Sequence, residues 1–271
     1  VKLVNNPPYV SATYVSPKAT CPRSCVYYDA GCYAQEGKTR KAGQRLDAAA
    51  GSLNVVEVAE EEAKWVTDFI AENGGRVPDD GLGRPRALRL HVLGDAGSED
   101  AARVLARTAT AWQLHGGGAC WTYTHRYTEF PRTIWGSISV LASVETNEQE
   151  DVAVKHGYVP ARTCEAFPDG GNLFRFRGSS IVYVPCPHEV AGQFGRTCVE
   201  CRLCWDDENL RSKNYGIAFA IHGPLGTRRA ATTALTRAGA ERPIPIRRSR
   251  TGPSLTHGSG GGAPSALASA R

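Results

Sequence analysis

Apolar residues recur at helical spacing in some stretches and alternate with polar ones in others, and the two periods take turns along the chain. Over residues 53–72, Val55, Val58, Ala59, Ala63, Trp65, Val66, Phe69 and Ile70 form one stripe, with Glu57, Glu60, Lys64 and Asp68 opposite. Glu62 falls inside the stripe and either lies at its edge, stem on the apolar surface and carboxylate in water, the commoner arrangement, or reaches a polar interior. Asn73, Gly74 and Gly75 stop this helix. A second helix begins behind the cap Ser98 and puts Ala101, Val104, Leu105, Thr108 and Trp112 on one face. A third is expected near 147–156. Alternation predicts strands at 9–15, 87–94, 119–125 and 137–144, and shorter ones near 159–165, 180–185 and 216–222.

Strands that alternate with helices imply an α/β fold with a mostly parallel sheet, open or closed into a barrel. In the second strand, Leu88, Leu90 and Val92 oppose Arg89, His91 and Leu93. In the fourth, Ile138, Val140, Ala142 and Val144 oppose Ser139, Leu141, Ser143 and Glu145. A parallel strand covered by helices on both sides is apolar on both. The polar second face therefore predicts a cleft or lumen that holds a polar ligand. Arg89 and His91 share that face, and His125 and His222 end neighbouring strands, a grouping suited to an anion or to acid–base work. The commoner role of a lone strand histidine is a hydrogen-bonded place in the core.

The net charge of +5 sits at one end. Residues 227–271 hold eight Arg and one Glu, so the first 226 residues carry a net −2. Basicity thus gives no argument for a nucleic-acid groove in the body. Residues 223–271, rich in Gly, Ala and Arg, read as a disordered basic tail capable of weak, non-specific contact with nucleic acid. Residues 1–222 read as one barrel-like domain that includes a cysteine-rich segment at 186–205. No run of about 18 apolar residues suggests a membrane span. The polar opening residues do not read as a signal peptide, which predicts a reducing, cytoplasmic setting.

In such a setting clustered cysteines are metal ligands before they are disulfides. Cys21, Cys25 and Cys32 follow the first strand as C-x3-C-x6-C, and Cys186, Cys198, Cys201 and Cys204 follow as C-x11-C-x2-C-x2-C. Three thiolates on a four-iron cluster leave one iron open, whereas four close the site. By spacing alone the triplet suits a cluster or a zinc ion completed by a ligand such as a His. The quartet suits an auxiliary cluster or a zinc ion, with His188 able to replace one sulfur. Cys120 and Cys164 stand apart and read as small buried hydrophobes. No Walker loop, G-x-S-x-G or H-E-x-x-H occurs, so the common hydrolase chemistries have no support.

The triplet ending Cys32-Tyr33-Ala34 resembles the radical S-adenosylmethionine proteins. More closely, Ser16 to Pro22, Leu88 to Asp95, Trp121 to His125 and Thr197 to Trp205 resemble the phage-encoded gene product 88 family. The resemblance covers about residues 10–222 and leaves the substrate unnamed. It implies a partial (βα)6 TIM-like barrel with a C-terminal cysteine-rich metal-binding loop. It also implies a [4Fe–4S] cluster on Cys21, Cys25 and Cys32 whose open iron binds S-adenosylmethionine, and an external electron donor. The common spacing there is C-x3-C-x2-C, and here the last gap is six. Gly94 and Asp95 match the glycine-rich strand end that meets the methionine amine. Ser143 and Glu145 lie where polar groups contact the ribose or carboxylate, and Glu145 joins His91 and Arg89 as a candidate catalytic residue. The competing reading is a non-catalytic phage accessory protein, stapled by zinc, that binds a nucleotide or a partner.

Overall fold

The computed structural model describes residues 10–28, 31–32, 37–168, 172–190 and 197–246, with residues 2–6 and 37–38 described by backbone alone. Their order is β1 (Lys2–Asn6), β2 (Val10–Tyr14), α1 (Pro17–Thr20), α2 (Gly37–Ala50), α3 (Val55–Glu72), β3 (Ala87–Arg89), α4 (Glu99–Leu114), β4 (Cys120–Thr124) and β5 (Ser139–Val144). Then come α5 (Asn147–Lys155), β6 (Val159–Cys164), β7 (Phe174–Phe176), β8 (Val182–Pro185), α6 (Cys198–Cys201), α7 (Asp207–Ser212), β9 (Tyr215–Ala220), α8 (Leu225–Ala238) and β10 (Pro243–Pro245).

The strands form one sheet in the order β1-β2-β3-β4-β5-β6-β9-β8-β7-β10. Pairing is parallel from β2 through β8, and antiparallel where β1, β7 and β10 join. The fold is thus α/β with a mostly parallel sheet, as expected. The sheet is open, with β1 and β10 as its edges among the described residues.

One face packs against α3 and α4. Leu88, Leu90, Val140, Ala142 and Val144 meet Val66, Ile70, Leu105 and Trp112 there. α3 starts where the stripe predicts it: the Asn54 side chain accepts from the Val56 and Glu57 N–H groups, and Glu57 returns a bond to Asn54 N. α4 starts at Ser98, which accepts from Ala101 N.

The opposite face differs from expectation. It is covered by the end of the cysteine-rich segment and by α7, where Leu203, Cys204 and Leu210 pack on Tyr123, Leu141, Val159, Ala161 and Ile217. The Ser139 hydroxyl donates to Cys204 O at 2.9 Å and accepts from Asp207 N at 3.0 Å, so a strand polar group counted toward a lumen anchors this covering segment.

Three further departures have physical causes. β3 ends at Arg89 because His91 takes φ 54°, a left-handed conformation that breaks strand alternation. Arg89 and His91 therefore do not share a face. Glu62 is not at the edge of its helix but 1% exposed, paired with His91 Nε2 at 2.9 Å and accepting from the Thr13 hydroxyl. Of the basic tail, residues 225–238 form α8 and 243–245 pair with β7, while 247–271 lie outside the described residues. α8 buries Thr227, Ala231 and Leu235, a stripe at i, i+4 and i+8 whose small residues hide it from a count of bulky side chains.

A buried arginine ties this C-terminal segment to the sheet. Arg162 of β6 is fully buried, donates to Asn147 Oδ1 and Glu145 O at 2.9 Å, and pairs with Glu150 and Glu241. Its guanidinium stacks 3.9 Å from the Phe176 ring.

Truncating Arg162 strands two carboxylates, so Arg162→Ala is expected to lose about 3–5 kcal/mol in urea denaturation. A loss below about 1 kcal/mol would show the network to be dispensable. The His91 pKa responds first to burial, which lowers it, but the Glu62 charge and hydrogen bond and the Asp95 charge leave it raised above 6.5. The stabilisation this gives is complete below an unfolded value of about 6.5 and fades as pH rises through the folded value. His91→Gln should flatten that slope in a pH series of denaturation midpoints; an unchanged slope would contradict the assignment.

Candidate functional site

Two cysteine groups stand on different parts of the sheet. The triplet lies beyond β2. α1 opens with Ser16, whose hydroxyl accepts from Ala19 N, and ends at Cys21, whose N–H donates to Pro17 O. The chain then turns twice, through Cys25 N to Pro22 O and Tyr28 N to Cys25 O. Gly31 takes φ 87°, and a Cβ there would lie 2.6 Å from Ala231 N, so α8 sits directly on the cysteine loop.

Asp95 organises the mouth. It is 2% exposed, and its carboxylate accepts from the Thr124 hydroxyl, His125 N and Ala96 N at 2.7–2.8 Å. Its own N–H donates to the Thr20 hydroxyl at 3.0 Å, one residue before Cys21. Gly94 makes this turn possible: at φ 90°, a Cβ would stand 2.3 Å from Val15 Cγ2 and 2.8 Å from Thr20 Oγ1.

His125 stands between the loop and β5. Its Nε2 is 3.4 Å from Cys25 Sγ and 3.8 Å from Glu145 Oε1. Burial lowers the His125 pKa, but the Cys25 and Glu145 contacts outweigh it and leave the ring well above its usual range. Burial raises the Cys21 thiol pKa, and the charges of Asp95, Cys25 and Cys32 raise it further. The buried hydroxyl of Tyr27, inside the loop, lies in the field of Glu145 and Cys25, and burial raises its pKa.

The quartet sits beyond β8 and across the covered face. Cys204 is pushed up to about 12 by burial and by the charges of Cys186, Cys198 and Cys201. Cys186, half-buried, is pushed up to about 11, first by that burial and then by the charge of Glu189, with Cys198 and Cys201 among its neighbours. Tyr123 hydrogen-bonds Cys204, and the His188 N–H donates to Cys186. The Arg89 guanidinium lies 5.7 Å from the Tyr123 ring and within the field of Cys198.

The expected site residues thus divide. Cys21, Cys25, Cys32, Gly94, Asp95 and Glu145 gather at the C-terminal ends of β2 to β5. Ser143 stays in β5, on the face opposite Ala142 and Val144. Arg89 belongs with the quartet. His91 is enclosed between α3 and the sheet, bonded to Glu62 and facing the Thr122 hydroxyl at 3.4 Å. His222 is exposed and stands 3.5 Å from Glu189. Cys120 and Cys164 are buried, as expected. Tyr27 and Tyr123 were not singled out by sequence; each neighbours a cysteine only in three dimensions.

The donor chemistry fits thiolate-bound metal at both groups: three cysteines share one electrostatic neighbourhood and four share another. The side chains as they stand do not converge, since no three His, Cys, Asp or Glu among the described residues are disposed to hold a metal ion. A bound cation reverses the burial effect on such thiols and draws them in as thiolates. No helix among the described residues is long and apolar enough to cross a membrane.

Gly94→Ala is expected to cost more than Gly51→Ala by at least about 1 kcal/mol in thermal denaturation. Both have positive φ, but only Gly94 has neighbours where a Cβ would go. Equal costs would show that the close approach to Val15 and Thr20 does not matter. Comparison with protein-family models, with curated proteins and with solved structures finds no match to this chain.

Proposed function

We propose that this is an iron–sulfur enzyme of the radical S-adenosylmethionine type, of phage or mobile-element origin, acting in a reducing cytoplasm with an external electron donor. The observation that carries the reading is the gathering of Cys21, Cys25 and Cys32 with Asp95, His125 and Glu145 at the C-terminal strand ends. In parallel α/β folds that end of the sheet is where ligands bind. Strands β2 to β6 and β9 would be the six staves of a partial (βα)6 barrel.

Cys21, Cys25 and Cys32 would hold a [4Fe–4S] cluster, and Gly94, Asp95 and Ser143 would face S-adenosylmethionine. When bound, the cluster would supply the electron that cleaves that cofactor. Asp95 fixes the strand ends, and Glu145 and His125 can hold a proton at Nε2 beside the Cys25 sulfur. Cys186, Cys198, Cys201 and Cys204 would hold an auxiliary cluster or a zinc ion.

One distance favours a second reading. Zinc bonds of about 2.3 Å to sulfur and 2.0–2.1 Å to nitrogen, at a tetrahedral angle, separate the two donors by about 3.5 Å. Cys25 Sγ and His125 Nε2 are 3.4 Å apart. On this reading His125 completes a Cys3His zinc site, and the protein is a stapled accessory protein with a nucleotide or protein partner.

Anaerobic purification with iron, sulfide and zinc analysis, followed by S-adenosylmethionine and dithionite, separates the two. The expected result is a brown protein that releases 5′-deoxyadenosine, and Cys32→Ala should abolish that release while the second site stays filled. Colourless protein with two zinc ions, one lost in His125→Ala, would replace the first reading with the second.

A further inference from the structure

A groove lies beside the cysteine loop, between the C-terminal ends of β6 and β9 and the first two turns of α8. Its volume is about 530 Å³, and its walls are Glu165, Ile221, Leu225, Arg228, Arg229 and the Thr232–Thr233 pair. That size suits a ligand of nucleotide scale. We propose that this groove binds a small phosphate-bearing ligand, with the Arg228 and Arg229 guanidiniums on the phosphate.

Four observations converge on an anion with an apolar portion. Arg228 and Arg229 are exposed, and neither guanidinium makes an ion pair or hydrogen bond with a described residue. They are the fourth and fifth residues of a 14-residue helix that has no acidic residue in its first turn and no side-chain cap from Pro224. The positive end of the helix dipole and two cations therefore lie close together with no ion-pair partner, an arrangement an anion relieves. Arg presents a planar fork that matches phosphate oxygens. Leu225 is 55% exposed at the groove wall beside Ile221, and a ring laid on these two would cover them. Glu165, on the other wall, accepts hydrogen bonds from hydroxyl or amino groups. The net charge of −2 over the first 226 residues argues for a local phosphate site rather than a broad nucleic-acid face.

The groove adjoins the loop but does not depend on metal there. α8 seats Ala231 on Gly31 with one side and presents Arg228 and Arg229 with another. Glu165 follows Cys164, whose strand end borders Tyr27 of the loop.

Isothermal titration calorimetry with uridine 5′-monophosphate and with inorganic pyrophosphate tests the proposal; the pyrimidine avoids the adenine of S-adenosylmethionine. The expected dissociation constant for the nucleotide is below about 1 mM. Arg228→Gln with Arg229→Gln should weaken both ligands at least tenfold, and Leu225→Ser should weaken the nucleotide alone. Cys32→Ala should bind as the parent does, which keeps this result separate from the fate of the cluster. Absence of binding, or binding unchanged in the double variant, would overturn the proposal. So would an oligothymidylate that binds more tightly with each added nucleotide, since that marks a nucleic-acid surface.

Discussion

Asp95 accepts hydrogen bonds from Thr124, His125 and Ala96 while its own N–H reaches Thr20, so one buried residue, through its carboxylate and its backbone, joins the end of α1, the turn after β3 and the end of β4. Each of those donors is a group that burial would otherwise leave unpaired. Move this residue and the cysteine loop loses its register against His125, because its N–H holds Thr20, directly before Cys21, while its carboxylate holds His125 N. Gly94 is the precondition: a side chain there would collide with Val15 and Thr20 before Asp95 could reach any partner. The candidate reactive centre is therefore built on backbone geometry at one residue and hydrogen bonding at the next.

The two cysteine groups differ in how the fold treats them. The triplet is reached from the strand ends and is bordered by Asp95, His125 and Glu145, groups that move protons or bind cations. The quartet is laid across a sheet face, and its neighbours are Tyr123, Arg89 and the apolar side chains of β4 to β6. A change at Cys204 would disturb the packing of a whole sheet face, since Cys204 and Leu203 pack against that core.

What the sequence made legible follows the length over which each signal repeats. α3 and α4 carry stripes several turns long with caps of the right chemistry, and both appear where expected. The parallel sheet follows from alternation of periods. The end of β3 was hidden because nothing in Leu88 to Leu93 announces that His91 takes a left-handed conformation. Arg89 and His91 consequently point to opposite layers, and the polar face expected from strict alternation is largely filled. α8 was hidden because its buried stripe is Thr, Ala and Leu inside an Arg-rich composition. The cysteine groups were legible from local spacing, whereas His125 lies 100 residues from Cys25 and no local pattern connects them.

The pairing of Arg162 with Glu241 bears on how the chain is made. β6 is complete 77 residues before Glu241 leaves the ribosome, by the numbering of the strand's last residue, Cys164. Until then the guanidinium has Glu150 but lacks the second carboxylate that it holds in the finished protein. β10, which closes one edge of the sheet, arrives only two residues after Glu241. Among the described residues, the second carboxylate that Arg162 needs and the strand that flanks β7 are thus delivered together, so a nascent chain gains this electrostatic partner in the same step that covers β7.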